Sequence, residues 1–117
     1  MGGNMALPPP MTTSAQSRSG AVAVQTTYVG LPVALRIDPQ KLKGDPQRLA
    51  DEILRLNRLA AMRAQVQMRR DLVEQAVDPQ VIRYANLPTE EELRDFEELH
   101  ERVQDDEQTR TGWMRSV

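Results

Sequence analysis
The chain has 117 residues, a formal net charge of −2, no cysteine and one histidine, which leaves room for one small domain and excludes a disulfide framework or a thiolate metal site. No apolar run nears the roughly twenty residues of a membrane span. The N-terminus also lacks the charged-then-apolar order of a secretory signal, so a soluble, cytoplasmic protein is expected.

Four stretches organise the chain. Residues 1–19 pass from Gly2, Gly3, Pro8, Pro9 and Pro10 into a Ser/Thr/Gln-rich run with too little apolar surface to order itself, and read as a disordered tail. Met5 and Met11 are alternative starts, and Met11 reads as the natural one, with residues 1–10 as upstream sequence.

Residues 20–78 hold a hairpin and a long helix. Val22, Val24, Thr26 and Tyr28 alternate with Ala23, Gln25 and Thr27, and after Gly30-Leu31-Pro32 the set Val33, Leu35, Ile37 resumes the period of two. Gly30 can supply a positive φ at the turn, and Pro32 opens the second strand, where its missing N–H does least harm. An isolated hairpin is marginal in water, so this one needs the helix on one face and another hairpin at its edge. Asp45 suits an N-cap and Pro46 the first helical position, and neither glycine nor proline interrupts residues 47–78 before Asp78-Pro79. At about 100° per residue, Leu49, Ile53, Leu54, Leu56, Ala60, Ala64 and Met68 share one broad side, expected to be core. Arg55, Arg58, Arg63, Arg69 and Arg70 lie on the other side. Among them runs a second apolar row, Leu59, Met62, Val66 and Val73. A helix apolar on two sides is buried on both, and a hairpin covers only one, so this row is the expected interface with a second copy or another subunit.

Residues 79–104 read as a linker and an acidic helix. Thr89 and Glu92 have capping-box spacing, Leu93, Phe96, Leu99 and Val103 form a thin apolar stripe, and Glu90, Glu91, Glu97, Glu98 and Glu101 read as solvated. His100 lies in this helix without a nucleophile or second ligand nearby, and is expected on the surface. Residues 105–117 read as a disordered tail with Trp113 as an incidental aromatic. Asp51 and Glu52, adjacent on the long helix, are expected to pair with Arg55 rather than to act as a catalytic dyad. With no Gly-rich phosphate loop, ligand cluster or activated nucleophile, a non-enzymatic protein without cofactor or metal is expected.

Charge is distributed unevenly. From Arg36 to Arg70 nine basic residues face four acids, and from Asp71 onward thirteen acids face five arginines, giving +5 and −8. Such asymmetry marks either a nucleic-acid surface guarded by an acidic tail or halves that neutralise each other.

The order strand, Gly-centred turn, strand ending in Arg36-Ile37-Asp38-Pro39, short Lys/Leu linker, then Asp45-Pro46 and a long helix resembles the carboxy-terminal half of the YbaB/EbfC nucleoid-associated family. With Gln47-Arg48-Leu49-Ala50-Asp51-Glu52-Ile53, Leu59-Ala60 and Leu87-Pro88-Thr89-Glu90-Glu91-Glu92, the chain is similar to the small EspD/EspH-like proteins associated with actinobacterial type VII secretion. The resemblance implies an α+β fold completed by dimerisation through strands and helices. It also implies either assembly or stabilisation of other proteins, or DNA binding with little sequence preference. The family's helix before the strands is missing here, and so is the acidic tract that precedes the strands in the secretion-associated proteins. The expected function is thus a non-enzymatic homodimeric interaction protein, with a nucleoid protein contacting phosphates through the five arginines as the alternative.

Overall fold
The computed structural model describes residues 12–115, with side chains through residue 107. Three strands, β1 (Thr12–Gln16), β2 (Val22–Thr27) and β3 (Pro32–Ile37), lead through a 3₁₀ turn at Pro39–Lys43 to the helices α1 (Pro46–Glu74), α2 (Pro79–Ala85) and α3 (Glu90–Arg115). The architecture is α+β. The sheet is antiparallel in the order β1-β2-β3, with Ala15 opposite Val24 and Val24 opposite Leu35.

The β2–β3 hairpin forms where alternation places it, and Gly30 turns it with a φ of 86°. Its edge partner is the chain's own β1, inside the segment that composition assigns to a tail. Composition misses this strand because only Ala15 within it is fully buried, so no apolar period marks it; pairing to β2 and the strand preference of Thr12 and Thr13 hold it instead. The part of the expected tail at residues 1–11 lies outside the described residues.

Asp45 caps α1 by accepting a hydrogen bond from the Gln47 N–H at 2.9 Å. The helix stops at Glu74, four residues before Asp78, because Ala76 turns into the left-handed region with a φ of 56°. The expected linker contains α2, capped by the Asp78 side chain and ended by Asn86 at a φ of 52°. The capping box opens α3: the Glu92 N–H donates to Thr89 Oγ1 and the Thr89 N–H to Glu92 Oε1, both at 3.1 Å. This helix continues to Arg115, through the segment expected to be a tail. Side-chain partners on distant elements support that extension. Trp113 lies outside the residues whose side chains are described.

The core is Ala15, Val22, Val24, Leu56, Leu59 and Ala60, with Leu49, Ile53, Leu93 and Phe96 packed against it. It sits where α1 crosses β1 and β2. Leu54, expected in the core, is 67% exposed. The sheet covers a narrower arc of α1 than the apolar side occupies, and Leu54 falls beyond it. Among the described residues no helix is long and apolar enough to cross a membrane.

Candidate interaction surface
The α1 arginines are largely engaged within the chain. Arg63 meets Glu97 at 3.1 Å and also donates to the Ser14 carbonyl of β1 at 3.2 Å. Arg70 pairs with Glu90 and holds that carboxyl below the usual carboxylate range. The Arg58 guanidinium lies 5.8 Å from the Phe96 ring centre, a cation–π contact. Arg69 donates to the Leu87 carbonyl at 3.1 Å. Arg55 donates from Nε to His100 Nδ1 at 3.2 Å, and its Nη2 lies 3.7 Å from Glu107. The acidic second half of the chain therefore folds onto the basic first half.

The second apolar row has the same fate. Leu59 and Val66 are each 1% exposed and Met62 is half-buried, leaving only Val73 of the four open to a partner. Leu59 belongs to the cluster against which Leu93 and Phe96 of α3 pack. The row was expected to meet another chain; three of its four residues are covered within this one instead, Leu59 in the cluster formed by the sheet and α1.

His100 is buried, at 5% exposed, contrary to the surface expectation. Its register explains why: Leu93, Phe96, His100 and Val103 follow helical spacings of three and four, so the histidine sits in the apolar stripe. Gln104, one turn later, is also buried, and its Nε2 lies 2.8 Å from His100 Nε2. The Gln104 Oε1 accepts the backbone N–H of Arg18 at 2.7 Å, and the Arg18 guanidinium pairs with Glu101 at 2.9 Å and Asp105 at 2.7 Å. Arg18 was the missed element of this site, since nothing in a lone tail arginine indicates partners at Glu101, Gln104 and Asp105 on α3. Glu52 likewise departs from expectation: it is buried and pairs with Lys41 at 3.2 Å, while Asp51 accepts from Gln47 at 3.0 Å. Neither makes the ion pair with Arg55 that helical spacing suggests.

No protein-family model, curated protein or solved structure matches the chain.

The open apolar surface lies at β3. Every residue from Pro32 to Arg36 is exposed, because α1 crosses β1 and β2 and stops short of the third strand. Cross-strand partners share a face, so Leu35, opposite Val24, lies on the helix side of the sheet, while Val33 is the extra residue at a register shift between the pairs Gln25–Ala34 and Thr26–Pro32. Both are 50% exposed. The Asn57 side chain donates to the Gly30 carbonyl in the β2–β3 turn at 3.2 Å, which fixes the side of α1 that looks toward β3. Leu54, three residues earlier, shares that side. Leu31 and Leu42 are exposed nearby in sequence, and none of these positions stands in the apolar row expected to bind. Among the described residues no group of three or more histidine, cysteine, aspartate or glutamate side chains gathers as a metal cage requires.

Proposed function
We propose that this protein is a non-enzymatic interaction module that self-associates through β3 and the apolar surface beside it. The observation that carries the reading is the open edge: a six-residue strand that no other strand pairs on one side among the described residues and Val33, Leu35 and Leu54 half or more exposed alongside. Such an edge is a template for another strand. A second copy fits it by symmetry. A two-fold axis through Ala34 sets Val33 of one copy opposite Leu35 of the other, and turns two three-stranded sheets into one of six. The net charge of −2 offers little repulsion between copies. The resemblance to a dimerising α+β family supports the same reading, and its secretion-associated members point to assembly or stabilisation of other proteins as the role of the dimer.

DNA binding through Arg55, Arg58, Arg63, Arg69 and Arg70 is the weaker reading, because acids, carbonyls and a ring of the same chain engage these side chains. Light scattering across a concentration series tests the favoured one. The wild-type chain is expected to sediment and scatter as a dimer, and the double variant Val33→Lys, Leu35→Lys as a folded monomer. A monomeric wild-type protein at high concentration would sink the reading.

A further inference from the structure
We propose that α3 is a releasable cover over the α1 arginine face, closed only while the His100 imidazole is uncharged, and that the uncovered face binds an acidic amphipathic helix of a partner protein. This surface is separate from the β3 edge and does not depend on self-association.

The first support is how α3 is anchored. Its only fully buried described side chains are His100 and Gln104; Leu93, Phe96 and Val103 are half-buried and Leu99 is exposed. The helix is fastened by polar groups at its centre and by ion pairs at its rim, and the rim pairs Arg18–Glu101 and Arg70–Glu90 are solvent-exposed and weak.

The second support is the geometry around the ring. Arg55 Nε–H donates to one ring nitrogen, and the Gln104 amide faces the other. Because the Gln104 oxygen already accepts the Arg18 N–H, its NH₂ end is the one turned to the imidazole. An uncharged ring accepts from one of these donors and sets its single N–H against the other, whereas an imidazolium presents N–H groups to both donors and a positive charge to a guanidinium. Turning the amide over would relieve the ring but would set NH₂ against the Arg18 N–H. Of the charged groups around the ring, Arg55, Arg63 and Glu52 come from α1, Glu101 and Glu107 from α3, and Arg18 from the β1–β2 turn. Burial and Arg55 push the His100 pKa below its ordinary 6.5; Glu101 opposes them, Arg63 adds to them, and Glu52 opposes, with a net lowering. The sign follows. A group that binds its proton less well when closed gives closure its full strength above pH 6.5, and closure weakens as pH falls from there toward the depressed value, by about tenfold per pH unit.

The third support concerns what fits the uncovered face. Arg63 and Arg70, seven apart on α1, meet Glu97 and Glu90, seven apart on an antiparallel helix, and Arg58 covers Phe96 beside Glu97. Release also withdraws Leu93 and Phe96 from the core cluster against which they pack. A ligand for this face supplies carboxylates a heptad apart and an apolar seam between them. An acidic helix does so, and a phosphate backbone lacks the seam.

Because the chain holds one histidine and no cysteine, its imidazole resonance is unambiguous and a spin-label pair is easily placed. Labels at Ala50→Cys on α1 and Glu98→Cys on α3, both exposed, report opening from about pH 8 to about pH 5. A longer-distance population is expected to grow as pH falls, with a midpoint matching the imidazole titration, and to lose its pH dependence in His100→Gln. Unchanged distances, or opening at a midpoint unrelated to the imidazole, would overturn the release; the second result needs only the wild-type ring. The partner is tested with a fluorescent peptide of residues 87–107 carrying His100→Gln. It is expected to bind the intact protein more tightly at the lower pH than at the higher. Absence of peptide binding at both pH values, or its displacement by duplex DNA, would overturn the acidic-helix assignment.

Discussion
Leu56 has no exposed surface and sits at the centre of the α1–sheet contact, so Leu56→Ala should cost about 3 kcal/mol or more in a urea titration. The Lys41–Glu52 pair makes a different demand. Glu52 is buried while the lysine is partly in water, so Lys41→Ala strands a carboxylate without fully uncovering it. A loss of about 1–2 kcal/mol is expected, below that of a fully buried broken pair, and a midpoint equal to wild type would show that water already serves Glu52. At this scale the sequence is a partial guide. The caps Asp45 and Thr89 and the turn glycine Gly30 are legible because their chemistry is local. His100 and Glu52 are not, because each owes its burial to a residue on another element, and helical spacing alone offered Arg55 as the partner of Glu52.

Elements tell the same story through their ends. The α1 start is written in Asp45-Pro46, but its stop is an alanine held at a φ of 56°, a conformation that costs an L-residue about 1–2 kcal/mol. Ala76→Gly removes that strain at some cost in unfolded-chain entropy, and a gain of about 0.5–1 kcal/mol in thermal or urea unfolding is expected. A loss would mean that the alanine methyl contributes packing worth more than the strain. Asn86 occupies the same region at the end of α2, where asparagine tolerates it better. The β1 strand escaped notice because an edge strand of threonine, serine and glutamine has no apolar period; its order comes from pairing with β2. The +5 and −8 halves were legible as charge and ambiguous as structure. Only the path of α3 along α1 decides that the acids neutralise the arginines of their own chain.

At the scale of the molecule, the fold is wide and thin. Its extents are 58 × 41 × 18 Å and its radius of gyration is 17.6 Å, against about 13 Å for a compact domain of this length. One layer of helix on one sheet leaves β3 uncovered, so the chain buries less apolar surface than a rounder fold would. Stability should therefore depend on association. The melting temperature of the wild-type chain is expected to rise with protein concentration, and that of Val33→Lys, Leu35→Lys to be lower and independent of it. Equal and concentration-independent values would show that a single copy suffices.

Arg18 must also wait for its partners during synthesis. Its backbone N–H is held by Gln104, 86 residues later, and its guanidinium by Glu101 and Asp105. Sheet and α1 can assemble as the chain leaves the ribosome, since their contacts lie within the first two thirds of the sequence. The helix that neutralises them arrives last. For the seconds that translation of the final third requires, each new copy carries its arginine face without the acids of α3.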